Sequence, residues 1–154
     1  MAVTSIWPVK GRVNGAIAYI CNPEKTTEDA VRDAIEYMSD KDKTDQCMYV
    51  TGINCRQDNA IKKFNETRRR WEHENDRRVC YHGYQSFAEG EVDPDIAHEI
   101  GKKLAKRLWG DEYQVLITTH LDKESHIHNH FVINTVGYKT GKKFHRTKED
   151  YYRM

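Results

Sequence analysis

The stretch THLDKESHIHNHFVIN, residues 119–134, holds four of the chain's eight histidines, at positions 120, 126, 128 and 130. Side chains of a β-strand alternate between two faces. Read as a strand, the stretch puts His128, His130 and Asn134 on one side and Ile127, Phe131 and Ile133 on the other. The Ile/Phe side is the natural buried face. Residues 113–120 read as a preceding strand, and LDKES between the two reads as a tight hairpin turn. Such a turn sets His120 opposite His126 and Thr118 opposite His128. Directly opposed residues point the same way with Cβ atoms ~5 Å apart, so His120, His126, His128 and His130 are expected on one face.

Three neutral imidazoles with coordination positions to spare make a catalytic metal site rather than a closed structural one. Asp122, two residues past His120, is placed to hold a ligand ring through its second nitrogen. Competing readings are a solvated strand end, a histidine nucleophile and a pH sensor. A single histidine would favour the solvated reading; three or four on one face beside an acid favour metal. Whether His120 or His126 supplies the third ligand stays open at this level.

Outward from this stretch, residues 2–8 alternate as a first strand, residues 11–15 form a turn, and 16–21 continue as a short helix stopped by Asn22-Pro23. Thr26 or Thr27 caps a helix with Ala30, Val31, Ala34, Ile35 and Met38 on its apolar side. A charged loop over 40–45 precedes a strand over 47–52. Residues 57–75 suit a polar helix with Ile61, Phe64 and Trp71 on one side and Arg68, Arg69 and Arg70 on a solvated face. Residues 78–87 form another strand. Asp93 and Pro94 start a helix whose stripe is Ile96, Ala97, Ile100, Leu104, Ala105 and Leu108, with Gly110 as its stop. The expected architecture is α+β: an antiparallel or mixed central sheet of about five strands covered by helices.

At 154 residues the chain is most simply one domain, 1–154. Its 25 basic and 24 acidic residues nearly cancel, so any nucleic-acid footprint must be local. One candidate is the acid-free segment 137–148 with Lys139, Lys142, Lys143, Arg146 and Lys148. Cys21, Cys47, Cys55 and Cys80 form no C-x-x-C pair, which argues against a zinc ribbon and for reduced thiols in a cytoplasmic protein. No apolar run is long enough to span a bilayer. The chain stops inside what reads as a new helix, EDYYRM, and is expected to be the front part of a longer protein.

The pattern His120-x-Asp122, His126-x-His128-x-His130, Asn134 resembles the third motif of the relaxase (mobilisation nuclease) family, HUH-type endonucleases of plasmids and conjugative elements. The resemblance runs along nearly the whole chain. GAIAYICNPEKT (residues 15–26) is similar to the family's tyrosine motif, and YHGYQSFAEGEVDPDIAHEIGKKLA (81–105) to the strand and helix before the metal motif. His82 and Gln85 lie in that strand as candidates to approach the site. Asn129 stands where the family has a bulky hydrophobe, but the middle residue faces away from the histidines. His126 is an extra histidine, and the family's C-terminal DNA-gripping elements are expected to be missing or truncated in this stretch.

The resemblance implies a palm-like HUH fold and a site- and strand-specific nickase and strand transferase that initiates conjugative transfer. His120, His128 and His130 would hold a divalent ion, Mn or Mg, with Zn, Ni or Co as alternatives. Tyr19 would attack the phosphodiester and leave a 5′-phosphotyrosine, with Asp122 or His126 as the base. The partners implied are single-stranded origin-of-transfer DNA and accessory relaxosome proteins, with no membrane. Lys25, Lys139, Lys142, Lys143 and Arg146 would contact the DNA backbone, and Tyr138 or Phe144 would stack on bases. Alternatives are a rolling-circle replication initiator of the same chemistry, against which the early tyrosine argues, and a non-catalytic DNA-binding module with a structural metal.

Overall fold

A computed structural model describes residues 2–10, 49–121 and 126–145. Tyr19, Lys25, Asp122 and Arg146 lie outside the described residues, as do the segments read as helices over 16–21 and 26–38.

In chain order the described elements are β1 (Val3–Lys10), β2 (Val50–Ile53), α1 (Ala60–Arg70, entered through a short 3-10 turn), β3 (Arg78–Ser86), α2 (Pro94–Trp109), β4 (Val115–His120) and β5 (His128–Asn134). The strands form one sheet in the order β1-β3-β5-β4-β2, and every pairing is antiparallel. This is the α+β architecture expected. Pro8 lies in β1, an edge strand, where a missing N–H costs no central ladder bond.

The central strands β4 and β5 are buried along their whole length, with α2 packed on one face and α1 on part of the other. Phe131, Ile133, Val115 and Ile117 pack with Ala105 and Trp109 of α2, and Tyr81 and Phe144 complete that core. On the histidine face, Val132, Leu116 and Cys80 pack against Ala60 and Phe64 of α1. The histidine face is therefore not a solvent face: one half is core, and the other half carries the site. Asn134 belongs to the core half. Its amide donates to the carbonyl of Phe64 and to Gln114 Oε1, which also accepts from Thr67 of α1.

Three expectations change here. Ile96 is half-exposed; Ala97 and Ala105 of the expected stripe are buried with His98, Gly101 and Trp109, and Leu104 and Leu108 pack partly buried against the core. Gly101 is there because the helix rides close over β5: a Cβ would come within 2.6 Å of the Asn129 amide nitrogen. Arg68 is not on a solvated face. It is 6% exposed, and its Nη2 donates to the carbonyls of His73, Glu74 and Asp76. Those carbonyls belong to the connection between α1 and β3, which Arg68 ties down, whereas Arg69 and Arg70 are exposed. Phe144 is buried edge-on between Tyr81 and Tyr113 and is not available to stack on a base.

Candidate metal centre

β4 and β5 are joined by residues 121–127, two residues more than LDKES alone, and the register follows that length. His120 pairs with His128, and Thr118 with His130. The expected pairing of His120 with His126 is thus displaced by two positions. An even displacement leaves every side chain on its face, so the convergence survives while its membership changes. His126 precedes the strand and is exposed.

The three remaining histidines each offer one ring nitrogen within 4.8 Å of the others, and all three are buried. Ring centroids are 4.4 Å apart for His120–His130, 4.9 Å for His128–His130 and 5.3 Å for His120–His128. Nitrogens sharing one ion at bonds of ~2 Å lie ~3–4 Å apart, so small ring rotations close the set. His126 contributes through its backbone. Its carbonyl accepts from His128 Nδ1 at 2.8 Å; since a carbonyl only accepts, His128 carries its hydrogen on Nδ1 and offers the Nε2 lone pair. Thr118, paired with His130, has a buried hydroxyl with no partner among the described residues. This donor set fits a divalent ion.

Burial keeps the neighbouring rings neutral. The pKa of His130 is pushed down to about 2, by burial first and then by the nearby His120, His82 and His128; that of His82 falls to about 4, by burial and then His120. Neutral imidazole is the form that binds metal. His82 of β3 lies with its Nε2 2.9 Å from His130 Nδ1, and Trp7 of β1 packs against it at 4.7 Å. Tyr84 lies 5.3 Å and 5.5 Å from the rings of His128 and His130.

Behind the site, on the α2 face, a buried polar chain crosses the sheet. Asn129 Nδ2 donates to the carbonyl of Ala97 and to Gln85 Oε1, so its Oδ1 accepts from the Thr119 hydroxyl. That hydroxyl has one hydrogen and therefore receives from His98 Nδ1 at 2.8 Å. Burial lowers the pKa of His98 and keeps it neutral, so its Nε2 accepts from Thr51 at 2.8 Å. The chain joins β2, β3, β4, β5 and α2 at the level of the triad, and explains a polar Asn129 between two histidines. Asn129 does face away from them, as expected.

The lysines lie elsewhere. Lys139, Lys142 and Lys143 follow β5 at its end farthest from His128, ~15–20 Å along the strand at 3.3 Å per residue. Lys139 and Lys142 are exposed, and Lys143 pairs with Asp76 at 2.7 Å. Trp7 was missed in the sequence, and His82 was no more than a candidate. Their signal is strand parity in β1 and β3, useful only once the pairing of Trp7 with His82 and of His82 with Val132 is known.

The family match covers the elements from β2 onward. Residues 19–154 match the family model described as relaxase, MobA/VirD2-like, nuclease domain. The chain is 44% identical over 100 residues to a Protein rlx of Staphylococcus aureus, covering 64% of this chain and 30% of that protein. It is 42% identical over 65 residues to the group II intron-interrupted relaxase LtrB of Lactococcus lactis subsp. cremoris, covering 42% of this chain and 11% of that protein. The chain thus spans about a third or less of the relatives it matches. No solved structure matches. With the histidine triad in the sheet and the family match over most of its length, this chain belongs to the MobA/VirD2-like relaxase nuclease domains.

Proposed function

We propose that this domain nicks and rejoins single-stranded DNA at an origin of transfer, with His120, His128 and His130 holding a divalent ion and Tyr19 as the nucleophile. The observation that carries the reading is the triad: three buried ring nitrogens within 4.8 Å of one another on adjacent strands, in a chain of the relaxase family. When bound, such an ion supplies Lewis-acid stabilisation of the phosphoryl oxygens in the transition state.

The chain's residues do the rest. The Tyr19 hydroxyl oxygen attacks phosphorus, the bond from phosphorus to the 3′ oxygen breaks, and the free 3′-hydroxyl departs. A new phosphotyrosine ester keeps the 5′ side. Tyrosine has a reference pKa of ~10, so its proton must pass to a base, and Asp122 is our candidate. Because one ester replaces another, the reverse attack by a 3′-hydroxyl reseals the strand. Lys25, Lys139, Lys142, Lys143 and Arg146 are proposed to meet the DNA backbone. We place the protein in the cytoplasm together with accessory relaxosome proteins; among the described residues no helix is long and apolar enough to cross a membrane.

Incubation with Mn²⁺ and a single-stranded origin-of-transfer oligonucleotide tests this. The expected result is a denaturation-resistant protein–DNA adduct, absent in Tyr19→Phe and in His128→Ala. An adduct that persists in Tyr19→Phe removes the assigned nucleophile, and no cleavage with any divalent ion on a cognate strand removes the nickase reading.

A further inference from the structure

His82 lies 38 residues upstream of His120 in the chain, yet β3 brings it onto the triad's face. Its Nε2 is 2.9 Å from His130 Nδ1, and both residues are 6% exposed. Two neutral imidazole nitrogens bond only when one carries the hydrogen and the other the lone pair. A His130 ring that binds an ion through Nε2 must carry its hydrogen on Nδ1. That hydrogen then points at His82, which accepts through Nε2 and keeps its own hydrogen on Nδ1. The same arrangement recurs at His128, whose Nδ1 donates to the His126 carbonyl. Trp7, 4.7 Å from the His82 ring and inclined at 56°, packs against the acceptor from the sheet edge.

Resting on the metal reading of the triad, we propose that His82 is a positioning residue: its Nε2 accepts the Nδ1 hydrogen of His130 and so fixes the tautomer and ring orientation that present His130 Nε2 to the ion. Groups that hold a metal-binding histidine by its other nitrogen set both tautomer and basicity. An imidazole in this place is a neutral acceptor. A carboxylate would cancel part of the ion's charge, whereas His82 leaves it available to an anionic phosphodiester.

The test uses ¹⁵N-histidine-labelled protein, long-range ¹H–¹⁵N spectra without metal, and Mn²⁺ titration of the same samples. Wild-type His130 should show the Nδ1–H tautomer. His82→Phe keeps a ring against Trp7 but removes the acceptor; His130 should then shift toward the Nε2–H form, with a ~10–100-fold loss of Mn²⁺ affinity. His82→Gln supplies an amide oxygen as acceptor and should restore both. A wild-type His130 found as Nε2–H, or a His82→Phe protein with unchanged tautomer and affinity, overturns the proposal. Wild-type protein that takes up no Mn²⁺ overturns the metal reading first and the positioning role with it.

Discussion

Arg68 illustrates how little the name of a side chain says about its work. Three consecutive arginines on a polar helix read as a solvated face, yet the first of them turns inward and gathers three carbonyls of the next connection. Nothing in the spacing announces this, because the burial depends on how residues 72–76 return over the helix end. Glu72 takes a left-handed conformation there, with φ of 59°, which reverses the chain over Arg68. Arg68→Met would take the side-chain donor away from those carbonyls, so we expect a loss of ~2–3 kcal/mol by chemical denaturation. Arg69→Ala should stay within ~0.5 kcal/mol of wild type. Equal losses would contradict the account of Arg68. The histidines show the opposite case. Parity alone puts His128 and His130 on one face, and bringing His120 to that face takes the pairing of β4 with β5.

At the scale of elements, the site depends on the packing of α2 against the back of β4 and β5. Gly101 and Asn129 are one device: the missing side chain lets the helix approach until its Ala97 carbonyl accepts from the Asn129 amide. Asn129→Leu would remove the acceptor of the Thr119 hydroxyl hydrogen and the donor to Gln85 Oε1 and the Ala97 carbonyl. We expect ~2–4 kcal/mol of destabilisation together with weaker Mn²⁺ binding. Gly101→Ala should cost ~1–3 kcal/mol alone, and distinctly less in an Asn129→Ala background, where the clash has gone. Additive losses in that double-mutant cycle would show that the two positions do not act together. Element types were largely legible in the sequence: β3, α2 and the β4–β5 pair fall where periodicity, Asp93-Pro94 and Gly110 put them. The two-residue register was not, since it is set by the connection over 121–127 and not by the pattern of either strand.

For the molecule as a whole, the sheet order β1-β3-β5-β4-β2 explains why Trp7 was missed and His82 was only a candidate in the sequence. It sets Trp7 and His82 next to a motif far along the chain, and pairwise topology of that kind leaves no trace in local periodicity. It also concentrates buried neutral histidines in one place, with a consequence for pH. His82 and His130 have folded-state pKa values lowered to about 4 and about 2 by burial, against ~6.5 in an unfolded chain. Below pH 6.5 the unfolded chain takes up protons that the folded one refuses. Their neutral burial therefore contributes full stability above that pH, and the contribution is lost as the pH falls toward 4 and below. Denaturant titrations without metal should show stability falling by on the order of 2–4 kcal/mol between pH 7 and pH 5, and a flat profile would contradict neutral burial of these rings.

The central claim, that the domain is built around a three-histidine metal site, is tested most directly by calorimetric Mn²⁺ titration of His120→Ala and His126→Ala beside the wild type. The account predicts one ion per wild-type chain, near-normal affinity in His126→Ala, whose carbonyl remains, and a loss of ~100-fold or more in His120→Ala, which removes one of three protein ligands. Normal binding in His120→Ala with loss in His126→Ala would contradict it.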